Sequence, residues 1–298
     1  MTRRGWLLFL GMAVMWGIPY LLIRVAVRQL DPGVLVLGRT GPAALLLLPV
    51  VIWRGEFRAM IRHFWWIIVF GFVEFGVPWY LMATAEKHIT SSLTSLLICA
   101  VPLFSVVAQR VRRTEEHISR QRLVGLTLGA LGVALLVGLS IHGGSIRWIG
   151  LMLIIAVGYT LGPIILATKL TAVPGIAVVV GATGTVALAW LPWSIVHWPR
   201  HLDPQTWESV GVLSVVCTAA AFVTFFELVK EVGSTRSVVV TYVNTALAVV
   251  LGVAFLHEPL TIGIIIGFPL VLVGSVIATS RSSSREKLSR DSDELIHG

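Results

Sequence analysis

One carboxylate in the middle of an apolar run is the residue best placed to do chemistry in this chain. Glu74 stands in Gly71-Phe72-Val73-Glu74-Phe75-Gly76 and is the only charged residue between positions 65 and 85. A carboxylate taken out of water is costly unless a proton, a cation or a buried donor compensates it. The position therefore suits proton coupling or recognition of a cationic group. A buried ion pair, or a protonated carboxyl bonded to a neighbour, would meet the same cost with no functional role. Arg39, in Leu37-Gly38-Arg39, is the natural partner. Six residues into its apolar run it lies roughly 9 Å deep, against roughly 16 Å for Glu74, at 1.5 Å per helical residue. Arg24 competes for the same carboxylate or extends its head toward the membrane surface.

Aromatic side chains form the second group. Trp16, Tyr20, Trp79, Tyr80, Tyr159 and Tyr242 lie well inside apolar runs. Trp16 and Tyr20 are four apart and share a helix face. Together these rings can line a cavity for a flat or cationic solute through stacking and cation–π contact, or they can simply pack helices. Asn244, with Thr241 and Thr245, offers hydrogen-bonding groups either to a cavity or to a neighbouring helix. Glu86 and Lys87, and Glu227 and Lys230, read as solvated interfacial pairs at helix ends. Glu116 and Glu258 read as capping residues, because Ser119 and Thr261 follow at expected helix starts. Gly125/Gly129 and Gly263/Gly267 have the four-residue spacing of close helix packing.

The elements that must position these residues are set by composition. The chain is 56% hydrophobic and 13% charged, with a mean hydropathy of +0.88, against about 25% charged in soluble domains. The apolar runs are near the 20 or so residues that cross a bilayer as a helix. Ten are expected, at 6–27, 33–53, 65–85, 90–109, 121–140, 148–168, 175–197, 208–229, 236–256 and 261–280. No run alternates polar and apolar residues as barrel strands do. Prolines 19, 78, 102, 163 and 269 are expected to interrupt helices. Trp6, Trp53, Trp65, Trp66, Trp148, Trp198 and Trp207 fall at run ends, as interfacial anchors do. The first run is read as an uncleaved helix, and 281–298 as a polar, disordered cytoplasmic tail.

The net charge of +8 does not point to nucleic acid, because the basic residues lie in short segments between apolar runs. With the N-terminus inside, seventeen Lys and Arg fall in inner segments and four in outer loops. That asymmetry places both termini in the cytoplasm. The chain also repeats itself. Glu116-His117-Ile118-Ser119 leads to Gly125, and Glu258-Pro259-Leu260-Thr261 leads to Gly267, with the same offset of 142 residues. An odd number of spans per copy inverts the second copy in the membrane. The expected fold is all-α and integral to the membrane: two inverted five-helix repeats, over 6–140 and 148–280. Arg39, Glu74 and Trp16 fall opposite Gly181, Cys217 and Tyr159, so the candidate chemistry is concentrated in the first copy.

These residues resemble the drug/metabolite transporter superfamily, specifically its EamA-type ten-helix members. The resemblance rests on Trp16-Gly17-Ile18-Pro19-Tyr20, Arg39, Tyr80 with Ala83, and Glu86-Lys87-His88-Ile89. Pro102, Glu116 and Gly125 continue it, and Glu258, Thr261, Gly267 and Gly274 carry it in the second copy. Asn244 stands where the second copy would carry a counterpart of Pro102. The resemblance implies a secondary transporter of the cell (inner) membrane, exporting amino acids or related small metabolites or drug-like solutes. It implies alternating access around a central cavity lined by helices one, three, four, six, eight and nine. A passive channel or uniporter is the alternative, and it would need no protonatable site. The partners expected are a small-molecule substrate and the lipid bilayer. No cofactor, metal or nucleic acid is expected. The chain lacks nucleotide-binding, HExxH and GxSxG motifs and metal-ligand spacings, which argues against an ATP-driven pump and an enzyme. No Lys or Arg lies inside the fourth or ninth span to grip a sugar phosphate. Cys99 and Cys217 lie in apolar runs, so a disulfide is not expected.

Overall fold

A computed structural model describes residues 2–111, 120–140, 145–233, 237 and 239–279. Glu116, Ser119 and the tail 281–298 lie outside the described residues. Every regular element among those described is helical. In chain order they are α1 (Arg3–Gly17), α2 (Pro19–Ala26), α3 (Pro32–Trp53), α4 (Phe57–Arg62) and α5 (Phe64–Gly71). A π-helical segment (Phe72–Gly76) leads into α6 (Val77–Ala85), followed by α7 (Ser91–Ile98), α8 (Val101–Val111) and α9 (Arg120–Ser140). Then come α10 (Ser145–Lys169), α11 (Gly175–Val196) and α12 (Pro204–Ser214). A second π-helical segment (Val215–Ala220) leads into α13 (Ala221–Val232), α14 (Val240–Leu256) and α15 (Ile262–Thr279).

Among the described residues, seven stretches are long and apolar enough to cross a membrane: Arg3–Ala26, Pro32–Trp53, Phe64–Ala85, Ser91–Ala108, Ile146–Lys169, Gly175–Val196 and Pro204–Val232. Three shorter apolar helices, Leu123–Leu136, Val240–Leu256 and Ile262–Ile277, accompany them. The protein is a multi-pass membrane protein. Its outward faces carry Leu45, Leu188, Ile195 and Phe255 in the open, where water would penalise them and lipid does not. Trp6, Trp53, Trp65, Trp66, Trp198 and Trp207 are exposed near helix ends, as interfacial tryptophans are.

Local chemistry sets the helix ends. The Asp31 carboxylate accepts from Gly33 N–H at 2.8 Å, with Pro32 in the first turn of α3. The Thr2 hydroxyl accepts from Gly5 N–H at 2.9 Å to start α1. Pro19 begins α2 after the break at Ile18, Pro78 follows the first π segment, and Pro102 follows the turn at Cys99 and Ala100. Pro163 and Pro269 instead sit inside continuous α10 and α15, so only three of the five expected prolines mark an interruption.

Two compact units account for the fold, Met1–Ile98 with Ile141–Leu260, and Cys99–Ser140 with Thr261–Gly298. Each draws on both halves of the sequence. In the first unit, α3 packs on α11, α1 on α14 and α13, and α10 on α6 and the first π segment. One apolar cluster in it includes Ile67, Phe70, Phe75, Trp79, Val178 and Val186. In the second unit, α9 and α15 lie together along a glycine seam. A Cβ on Gly132 would meet the Val271 nitrogen at 2.6 Å and the Gly267 carbonyl at 2.9 Å, and Gly274 lies directly on the Gly129 backbone. Backbones this close require glycine. The seam uses Gly125 and Gly129 against Gly274, a pairing across helices that spacing within one helix does not specify.

Candidate functional site

The site lies in the first unit and is built from two π-helical segments. They begin at Phe72 and Val215, 143 positions apart, close to the 142-residue repeat offset. A π turn inserts a residue into the helical ladder and leaves backbone carbonyls without their usual partners. In the second segment the Thr218 hydroxyl donates to the Leu213 carbonyl, five residues back, at 2.8 Å. Its oxygen accepts from Arg39 Nε at 3.0 Å. In the first segment Glu74 projects toward α10, where Gly158 and Gly162 face it. A Cβ on Gly158 would meet the Val73 carbonyl at 2.8 Å, and a Cβ on Gly162 would overlap Glu74 Oε2. That oxygen is buried and has no hydrogen-bond partner.

Arg39 is 7% exposed. Its guanidinium carbon lies 3.5 Å from the Trp79 ring centroid, a cation–π stack. Arginine carries five N–H donors, and one, on Nε, meets Thr218. No carboxylate among the described residues pairs with it. The expected Arg39–Glu74 ion pair does not form, because Trp79 and Thr218 hold the guanidinium while Glu74 turns to the glycine face of α10. Arg39 and Trp79, with Ile23, Leu35, Val36 and Ala83, line a cavity of about 10 Å³, space for about one water.

Tyr159, on α10 beside Gly158, lies near Trp79, Glu74 and Arg39. Tyr20 and Cys217 also lie near Arg39. Trp16 reaches the site through other rings. It stands 5.9 Å from Phe222, Phe222 is 5.4 Å from Phe75, and Phe75 is 4.9 Å from Trp79. Tyr80 leaves this run and stacks on Trp190 at 4.6 Å. Asn244 and Tyr242 are on α14; Asn244 sits where α14 meets α1, its backbone carbonyl facing Gly17 and its side-chain oxygen accepting from Thr245 at 3.3 Å.

Three readings of charged residues at helix ends change. Glu86 is 0% exposed and both its carboxyl oxygens lack partners, whereas Lys87 is exposed, so the two are not a solvated pair. Arg24 does not extend outward; it donates to the Glu86 backbone carbonyl. Glu258 does cap a helix, but a distant one: its carboxylate receives the backbone and hydroxyl groups of Ser91 and Ser92 at the start of α7. Thr261 caps α15 by accepting from Ile264 N–H at 3.3 Å. The Glu227–Lys230 pair does form, at 2.9 Å, and Arg4 joins it. Thr218 and the Glu258–Ser91–Ser92 contact escape sequence reading, because both link residues more than 160 positions apart. The one local hint for Thr218 was that its neighbour Cys217 falls opposite Glu74 in the repeat.

An all-helical, lipid-exposed bundle with a buried arginine and a mid-helix carboxylate defines a polytopic membrane protein with a polar interior site. The EamA-like transporter family model matches residues 3–138 and again 146–280, and the chain belongs to that family. It is 24% identical over 288 residues to YvbV, an uncharacterized transporter of Bacillus subtilis (strain 168), covering 94% of this chain and 93% of that protein. It is also 24% identical over 283 residues to YedA, an uncharacterized inner membrane transporter of Escherichia coli (strain K12), covering 87% of each. A protein of Salmonella typhimurium named as a probable amino-acid metabolite efflux pump is 24% identical over 161 residues, 54% of this chain and 52% of that one. A solved crystal structure shares the fold with a TM-score of 0.66 at 18% identity, covering 92% of this chain and 96% of that one.

Proposed function

We propose that this transporter exports a small carboxylate-bearing metabolite, of the amino-acid class, by alternating access, with Arg39 receiving the carboxylate. The observation that carries this reading is a buried guanidinium held on a ring face and one hydroxyl, with no acidic partner among the described residues. An arginine so placed is costly unless an anion completes it, and its planar fork suits bidentate carboxylate binding. Glu74, with an unpartnered oxygen beside α10, supplies the complementary group for a substrate ammonium or for a coupling proton. Trp79, on which Arg39 stacks, and Tyr159, near both charged groups, suit the apolar part of the solute. The name of the Salmonella relative agrees with this substrate class.

Ten spans in two inverted repeats over 6–140 and 148–280 complete the reading, with both termini in the cytoplasm of the cell (inner) membrane. The seventeen-to-four distribution of Lys and Arg supports the orientation. The two π segments, at matching positions of the two halves, support the repeat. The protein carries solute across the bilayer rather than transforming it, without a cofactor.

The test is a thermal-shift screen of purified protein with amino acids, purines and quaternary amines, followed by efflux from proteoliposomes. Carboxylate-bearing ligands should stabilise the wild type and not Arg39→Gln. Stabilisation by quaternary amines alone, unaffected by Arg39→Gln, overturns the assignment. Flux that ignores a pH gradient in both the wild type and Glu74→Gln removes Glu74 from coupling and favours a passive uniporter.

A further inference from the structure

Where α6 gives way to α7, two carboxylates meet opposite fates. Glu258 Oε1 accepts from Ser91 N–H at 2.7 Å and its hydroxyl at 3.0 Å. Glu258 Oε2 accepts from Ser92 N–H at 3.0 Å and its hydroxyl at 2.5 Å. Four donors at the start of α7 therefore meet the Glu258 carboxylate. Glu86 is fully buried and neither of its oxygens has a donor. The charged groups that face it are Glu258 from the α14–α15 turn, Arg24 from α2 and Arg39 from α3. Arg24 is directed to the main-chain carbonyl of Glu86, and Arg39 to Trp79 and Thr218, so neither cation pairs with the carboxyl.

We propose that Glu86 is a proton-binding site that locks the Glu258 latch, so that closing this end of the first unit takes up one proton from water and opening it releases that proton. Two neighbouring carboxylates in a dry pocket do not both stay ionised. Glu86 is the carboxyl without donors, so a proton bound here sits on Glu86. Burial first, and Glu258 second, hold the Glu86 carboxyl well above the usual carboxylate range. When Glu86 ionises it has no donor within the closed structure, and it gains hydration only if the Glu258 turn moves off α7. The latch closes over Gly252, where a Cβ would meet Glu258 Oε2 and the Ser92 hydroxyl, each at 2.5 Å. Lifting the turn requires breaking four hydrogen bonds at one place, which makes the contact a two-position device rather than a graded one.

The proposal is tested without any substrate, so its outcome is separate from that of the Arg39 reading. Spin labels at Lys87→Cys and Leu260→Cys, both exposed positions, report the latch distance in the full-length protein in lipid nanodiscs. The singly substituted chains control for labelling of the buried Cys99 and Cys217. A short distance should dominate at acid pH and a longer one should grow in as pH rises, with the infrared signal of a protonated carboxyl disappearing at the same midpoint. Glu86→Gln should hold the short distance at every pH. Gly252→Ala, which adds and removes no titratable group but crowds Glu258 Oε2 and so weakens the closed latch, should move the midpoint to lower pH. A distance that ignores pH in the wild type overturns the proposal, as does a transition surviving unchanged in Glu86→Gln, an unmoved midpoint in Gly252→Ala, or a distance that follows sodium at fixed pH instead of protons.

Discussion

Glu74 Oε2 lies in the space that a side chain at Gly162 would need. The carboxylate and the glycine are complementary in shape, so any residue larger than glycine on that face of α10 must move either Glu74 or the helix. Gly162→Ala should therefore leave a folded membrane protein and reduce transport at least tenfold, with the loss matching that of Glu74→Gln. Efflux from proteoliposomes, with folding checked by size-exclusion chromatography, measures this. Full activity in Gly162→Ala would separate Glu74 from the transport cycle.

Trp79 supports Arg39 through its ring face, and a desolvated cation–π contact is worth about 2 kcal/mol. Replacing Trp79 with Leu keeps an apolar residue but removes the ring. Substrate affinity should fall by about tenfold to thirtyfold, since about 1.4 kcal/mol corresponds to tenfold. Trp65→Ala, at an exposed position, should leave affinity unchanged. Equal effects of the two substitutions would place Trp79 among the packing residues.

His257 has a φ of 54°, the only non-glycine residue with positive φ among those described. The turn it makes lets Glu258 N–H reach the Gly252 carbonyl at 3.1 Å and sends the Glu258 side chain toward α7. A left-handed backbone costs a non-glycine residue roughly 1–2 kcal/mol. His257→Gly should raise the melting temperature in detergent, offset in part by the greater freedom of glycine when unfolded. His257→Val, β-branched, should lower it. A lower melting temperature for His257→Gly would mean that the imidazole itself contributes a contact.

Glu86 links stability to pH. Its carboxyl is held above its ordinary value by burial and by Glu258, so the folded protein keeps a proton that the unfolded chain loses above about pH 4.3. Over the window from that value up to the folded pKa the unfolded state binds fewer protons, and this group's contribution falls by about 1.4 kcal/mol per pH unit. Stability from this site is complete at acid pH and is lost as pH rises. The difference in melting temperature between Glu86→Gln and the wild type should therefore grow with pH across that window, in favour of the variant. A constant difference would place Glu86 in water.

The amino-acid sequence by itself determined that the chain lives in a membrane, where its apolar spans lie to within a few residues, and which polar residues stand at depth. Each of these follows from properties local to a segment: apolar length against bilayer thickness, and tryptophans at run ends. Arg39, Trp79, Tyr159 and Glu74 were all legible as candidates because a polar or aromatic group inside an apolar run stands out without any knowledge of its neighbours. Only the tertiary structure decided who meets whom. It gave Arg39 to Trp79 and Thr218 rather than to Glu74, turned Glu74 to the glycines of α10, buried Glu86 and sent Glu258 to the start of α7. Hydropathy reports how far a group is from water, and partner choice depends on which helices lie side by side and on where a π turn rotates a side chain. Those are properties of the assembled bundle, and residues more than 160 positions apart acquire them only when it closes.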